Sequence, residues 1–335
     1  MKPIIIAEAG VNHNGLLENA LQLVDVAADA GADYVKFQTF QADLLVTSQA
    51  PTAEYQQKNT GEENQADMLR QLELSWEDHL AIQARCQQKG IQFLSTAFDL
   101  MSIDWLLKLG ITLGKIPSGE LTNFPYLRKM AQSFPNLILS TGMATLQEVK
   151  EALAVLYRFG HSPETVTVLH CTTQYPTPLE EVNLHVLRTF QFELGTSIGY
   201  SDHTLGIEVS LAAVALGATV IEKHFTLSRE MPGPDHQASL EPAELHAMVE
   251  GIRKISLALG SYEKSPTPSE QKNKPIARKS LVAARFIPAG TRLSEEDLTV
   301  KRPGHGISPM QWENIVGIKT DRDFQPDDLL VWPEK

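Results

Sequence analysis

The sequence predicts an α/β fold, a (β/α)8 TIM barrel followed by a small β-rich domain. Three observations carry this. Between residues 4 and 226 a short, β-branched apolar run ending in a polar, often glycine-bearing cluster recurs eight times. Stretches of helical periodicity follow most of these runs. After about residue 260 the pattern stops, and short runs alternate with Pro-Ala-Gly and Pro-Gly-His-Gly turns.

The eight units are IIIAEAGVNHNG (4–15), YVKFQTF (34–40), IQFLSTAFD (91–99), LGKIPSGE (113–120), LILSTGM (137–143), VTVLHCTTQYP (166–176), SIGYSDHT (197–204) and TVIEKHFT (219–226). Their apolar parts are short and lack polar alternation, as expected for parallel strands buried on both faces. Eight units are more than a doubly wound open sheet, the alternative, usually needs. Between them, Leu17, Leu21, Val24 and Ala28 predict a helical stripe ending before Gly31, a C-cap position. Ser75 ahead of Trp76-Glu77-Asp78 reads as an N-cap with acidic first-turn residues. Leu245, Val249, Ile252 and Ile255 mark the last long helix. Residues 41–74 interrupt the repeat with a polar insertion, expected to be a lid or substrate loop over the barrel mouth.

The expected division is a barrel over 1–262, a proline-rich, charged linker over 263–278 and a small β-rich domain over 279–335. Under sixty residues, such a domain is marginal by itself and is expected to pack on the barrel or on a partner chain.

Composition narrows the function. The chain has 335 residues, 42% hydrophobic and 21% charged, with a formal charge of −12. That balance argues against general nucleic-acid binding, which rests on Lys and Arg at phosphates. No stretch is apolar for the eighteen or more residues of a membrane span, and the N-terminal run is too short for a signal sequence. The two cysteines, Cys86 and Cys171, match no metal or redox spacing. The expectation is a cytoplasmic protein with free thiols.

Barrel active sites lie at the C-terminal ends of the strands, where the polar clusters fall. A single Ser or Thr there is most simply a helix cap. Two Lys, two His and three Glu are not so explained, because buried charges are costly without partners or a ligand. His203 and His224 end adjacent strands seven and eight, a spacing that lets two imidazoles meet one divalent cation, with Glu8, Glu222 and Asp235 available. Mixed N/O ligation suits Mn²⁺, Mg²⁺, Fe²⁺ or Zn²⁺. Lys115, Ser118, Ser140 and Ser201 are donor types that hold a phosphate. No glycine-rich nucleotide motif is present, so a small phosphorylated metabolite fits better than ATP or NAD.

The stretches IIIAEAGVNHNG, VKFQTF, KIPSGE, LSTGM, LHCTTQYPTP, GYSDHT, EKHFT, GPDHQASLEP and VKRPGHG resemble the sialic acid (nonulosonic acid) synthases. That family joins a TIM barrel to a C-terminal antifreeze-like (SAF) domain. It condenses phosphoenolpyruvate with an open-chain N-acylated mannosamine-type aldehyde, releasing phosphate. The resemblance implies His203 and His224 as metal ligands, with Mn²⁺ first and Mg²⁺ or Co²⁺ as alternatives. It implies Lys115, Ser118, Ser140 and Ser201 as phosphoenolpyruvate contacts, with Glu120 and Tyr175 at the reacting centre and Glu120 as candidate base. Glu8, Lys36, Gln38 and Asp235 match sugar- or metal-side positions. Arg302 matches a tail-domain arginine that contacts the N-acyl group in the other subunit's site, so a domain-swapped homodimer is implied. Thr173 stands where the sialic acid makers carry Asn, and CTTQYP with ARKSLVA is similar to the legionaminic acid branch, whose sugar is a 2,4-diacetamido-6-deoxy mannose analogue. Two rivals remain: a metal-dependent aldolase or lyase on the same barrel, and a non-catalytic carbohydrate- or ice-binding protein.

Overall fold

The computed structural model describes residues 2–333 and divides into two compact units, Met1–Gly260 and Ser261–Lys335. In the first unit eight parallel strands close a barrel in sequence order: β1 (Ile4–Gly10), β2 (Tyr34–Thr39), β3 (Gln92–Ala97), β4 (Leu113–Ile116), β5 (Asn136–Ser140), β6 (Val166–His170), β7 (Ser197–Asp202) and β8 (Val220–His224). Each falls on one of the eight predicted runs, β5 starting one residue early at Asn136, and β1 pairs with β8 to close the ring.

One helix packs outside after each strand: α1 (Leu17–Asp29), α2 (Trp76–Lys89), α3 (Leu100–Lys108), α4 (Phe124–Ser133), α5 (Leu146–Arg158), α6 (His185–Glu193), α7 (Glu208–Ala215) and α8 (Pro242–Leu259). Ser75 caps α2 by accepting from Asp78 N–H, and the Asp78 carboxylate reaches back to Ser75 N–H. The α1 stripe is rotated from the expected one: Ala20, Leu23, Val24 and Ala27 are the buried residues, while Leu17, Leu21 and Ala28 pack at its edge. Gly31 follows α1 at φ +80°, the left-handed region that glycine adopts without penalty.

The insertion is more than a polar loop. It forms helical segments at Ala42–Leu45, Glu54–Thr60 and Gln65–Arg70, and the first and last of these contribute to a small core of Val11, Phe40, Ala42, Met68, Leu69 and Leu72. The apolar residues that build it are too sparse in sequence to show as a period.

In the second unit the expected linker contains a helix, α9 (Pro268–Ala277). Thr267 caps it, Pro268 supplies the fixed φ of its first turn and Glu270 closes a capping box, so start signals outweigh the disordering composition. Beyond it β9 (Ser280–Ala283) and β10 (Leu298–Lys301) pair antiparallel over a core including Leu281, Ile287, Leu298, Ile315 and Phe324. Cys86 and Cys171 are buried and unpaired, and among the described residues no helix is long and apolar enough to cross a membrane.

Candidate active site

Strand alternation decides which side chains enter the barrel. From the pairing register, Glu8, Lys36, Thr96, Lys115, Ser140, Ser201 and Glu222 share the inward parity, with His224 two residues beyond Glu222. They open into a cavity of about 470 Å³ at the C-terminal ends of the strands. Gln38, Ser118, Thr173, Tyr175 and His203 also line it.

Its floor is a buried four-charge cluster. Lys36 Nζ lies 2.6 Å from Glu8 Oε2 and 3.6 Å from Glu222 Oε2, and it donates to Thr96 Oγ1 at 2.9 Å. Lys115 Nζ donates to Glu222 Oε1 at 3.1 Å, and Ser201 Oγ donates to the same oxygen at 2.9 Å. Burial would push the Glu222 carboxyl up, but Lys115 and Lys36 overcome it and hold it well below the usual range. Burial dominates at Glu8, whose proton affinity rises to about 7 despite Lys36. Lys36 keeps its charge because Glu222 and Glu8 outweigh its desolvation, whereas desolvation lowers Lys115.

Beside this cluster stand two imidazoles, ring centroids 5.5 Å apart. The His203 Nδ1–H donates to Thr172 O at 2.5 Å, which leaves Nε2 as the lone-pair nitrogen. Burial lowers His203 to about 4 and His224 further below its ordinary value, so both are neutral at pH 7. His224 Nδ1 is buried with no hydrogen-bond partner, 3.9 Å from Asp235 Oδ2. Burial raises Asp235 to about 6. Tyr175 lies over His203, centroids 4.1 Å apart, and edge-on to His224 at 5.7 Å.

Among the described residues no group of three or more His, Cys, Asp or Glu is disposed to hold a metal. The pair nonetheless fits one: two neutral imidazoles, one tautomer fixed by a backbone carbonyl and one ring nitrogen orphaned, are what a two-histidine site with open positions requires.

Ser140 Oγ is buried without a partner, a donor with nothing to donate to in the protein itself. Ser118 Oγ accepts from Gly142 N–H at 2.8 Å and lies 3.3 Å from Cys171 Sγ. A Cβ on Gly142 would sit 2.6 Å from Thr173 Cγ2 and 2.9 Å from Ser118 Oγ, so glycine lets the β4, β5 and β6 loops meet.

Not every expected residue converges here. Glu120 does not line the cavity; it sits in the turn Ser118–Glu120 and its Oε2 accepts from Asn123 Nδ2 at 2.6 Å. Asp235 lies behind His224 rather than in the lining. Arg302 is exposed, just after β10 in the second unit. Several lining residues were given no role by the sequence reading, among them Ala53, Gln56 and Gln65 of the insertion, Phe98 after β3 and Cys171 after β6. Phe98 and Cys171 stand at strand ends, and the insertion residues lie in the segment expected over the barrel mouth.

The chain matches the NeuB family over residues 23–264 and the SAF domain over residues 278–334. It is 50% identical over 330 residues to the N,N'-diacetyllegionaminic acid synthase of Campylobacter jejuni, covering 98% of this chain and 99% of that one. It is 47% identical over 335 residues to the Legionella pneumophila enzyme of the same name, covering 99% and 94%. Among solved structures, N-acetylneuraminic acid (sialic acid) synthetase from Leptospira borgpetersenii superposes with a TM-score of 0.72 at 34% identity, over 82% of this chain and 90% of that one.

Proposed function

The chain belongs to the NeuB family, and we propose on that premise that it condenses phosphoenolpyruvate with 2,4-diacetamido-2,4,6-trideoxymannose to give N,N'-diacetyllegionaminic acid and phosphate. It is a nonulosonic acid synthase; the choice of this sugar over N-acetylmannosamine rests on similarity to the two legionaminic acid synthases and on Thr173 in CTTQYP. The observation that carries the chemistry is the cavity floor. Two buried lysines and the unpartnered Ser140 hydroxyl meet there, beside two neutral imidazoles.

In the proposed reaction C3 of the enol phosphate bonds to the aldehyde carbon, whose oxygen takes up a proton. Water adds to C2 and loses a proton, and the C2–O bond then breaks to expel phosphate. Lys36 and Lys115, fixed by Glu8 and Glu222, face the anionic substrate, and Ser140, Ser118 and Ser201 orient it. Such preorganised donors stabilise charge without reorganising during reaction. Glu8, raised to about 7, is the cavity carboxyl able to give or take a proton near neutrality. His203 and His224 would hold a divalent cation, Mn²⁺ in first place, with Asp235 behind His224. When bound, the cation supplies a Lewis acid for a carbonyl oxygen. Arg302 is assigned to the N-acyl group of sugar bound in a partner chain, which makes a homodimer part of the proposal. A cytoplasmic location fits the buried, unpaired cysteines.

The test is phosphate release from phosphoenolpyruvate with each sugar in turn. The diacetamido sugar is expected to give the higher kcat/KM. A preference for N-acetylmannosamine overturns the sugar assignment, and no phosphate release with either overturns the synthase reading.

A further inference from the structure

A second charged pair lies on the outer side of the same two strands, and the proposed reaction makes no use of it. Asp202 on β7 and Lys223 on β8 face each other in register, both 0% exposed. Lys223 Nζ lies 3.0 Å from Asp202 Oδ2 and donates to Thr204 O at 2.6 Å. Asp202 Oδ1 accepts from Thr204 N–H at 2.9 Å and Thr204 Oγ1 at 2.8 Å, while Oδ2 accepts from Ser210 Oγ of α7 at 2.6 Å. Each carboxylate oxygen therefore takes two donors, and the turn that carries His203 is tied to β8 from outside.

Stability alone does not explain such a pair. Exchanging a buried ion pair for apolar residues of similar volume is often neutral or favourable. What the pair supplies is register. On the inner face Ser201 meets Glu222, on the outer face Asp202 meets Lys223, and one residue further stand His203 and His224. A slip of one residue in either strand exchanges its faces. It would bring Asp202 or Lys223 inward and turn an imidazole out.

We propose that the buried Asp202–Lys223 pair is a register pin, positioning the C-terminal ends of β7 and β8 so that His203 and His224 address one cation. This rests on the reading of the two histidines as metal ligands. Asp202 and Lys223 are positioning residues, since neither lines the cavity.

The test uses the full-length, metal-stripped chain, with Mn²⁺ alone as probe. Thermal midpoint and calorimetric Mn²⁺ affinity are measured side by side. Lys223→Met alone should lower the midpoint, because it leaves a carboxylate buried and unpaired. The neutral double variant Asp202→Asn/Lys223→Met should recover most of that loss yet bind Mn²⁺ at least tenfold more weakly than wild type. Recovery of both stability and wild-type Mn²⁺ affinity overturns the pin and leaves the pair merely structural. Should the double variant not fold, Ser210→Ala removes one donor from Asp202 on an outer helix. Its midpoint should fall less than that of Lys223→Met, because Asp202 keeps its lysine and both Thr204 donors, while its Mn²⁺ affinity should fall threefold or more; an unchanged affinity overturns the proposal. Wild type that takes up no Mn²⁺ overturns the metal reading and the pin with it.

Discussion

Replacing Ser140 by alanine should act with opposite signs on substrate binding and on stability. The Ser140 hydroxyl ends β5, is 3% exposed and has no hydrogen-bond partner within the protein. Leaving a buried polar group unpaired costs about 1–3 kcal/mol. Removing it therefore leaves stability unchanged or raises it by up to that amount. For a domain of this size that is roughly 2–4 °C in Tm per kcal/mol. A hydrogen bond to a charged group contributes about 1.5–3 kcal/mol. If Ser140 donates to the phosphate or carboxylate of phosphoenolpyruvate, its loss raises Kd by roughly 10–150-fold at 1.4 kcal/mol per decade. Calorimetric titration with phosphoenolpyruvate and a thermal melt of the same preparation measure the two effects. Unaltered phosphoenolpyruvate affinity would refute the contact. A fall in Tm of several degrees would show that the hydroxyl already had a partner in the ligand-free protein.

Other perturbations separate the remaining assignments. His203→Ala and His224→Ala should each weaken Mn²⁺ binding by tenfold or more while the chain stays folded, and chelator should abolish phosphate release by wild type; full activity in chelator would sink the metal role. Arg302→Ala should raise KM for the sugar far more than KM for phosphoenolpyruvate, and equal loss on both would refute its assignment to the N-acyl group. Asp33 ties strand β1 to helix α8: its Oδ2 accepts from Ile5 N–H at 2.8 Å and from Arg253 Nη2 at 2.7 Å. Burial would raise its proton affinity, but Arg253 and the Ile5 amide outweigh that and lower it. A carboxylate depressed in the folded state stabilises above its unfolded pKa, and that stability is lost as pH falls through the folded value. Asp33→Asn should thus cost roughly 1 kcal/mol at pH 7, a figure discounted for partial exposure. Denaturant melts should show the difference shrinking as pH drops below about 4, the ordinary Asp value; a gap that persists in acid would refute the electrostatic origin.

Several elements were legible because their signals are local. Each barrel strand is a short apolar run, and Ser75 and Gly31 mark helix ends through groups within a few residues of themselves. Even there, α9 was obscured by the composition of its surroundings, and the α1 stripe lies one residue round from the expected one, on Ala20, Leu23, Val24 and Ala27. The insertion core was hidden because Val11 and Phe40 meet Met68 and Leu69 across long gaps in sequence.

The sequence by itself pointed to the barrel, since strand and helix signals lie in contiguous stretches and eight such units are more than an open sheet usually needs. It also determined which chemical groups gather at the strand ends, because strand parity is a local property. Tertiary structure decided how those groups divide their work. Lys115 and Lys36 share Glu222, Glu120 turns to Asn123, Gln56 and Gln65 enter the lining, and Asp202 locks to Lys223 outside the barrel. Except for Glu120 and Asn123, three residues apart, those choices depend on distances between side chains that are far apart in sequence. In a buried, low-dielectric setting a shift of an ångström decides whether a charge is paired, protonated or free to meet a ligand.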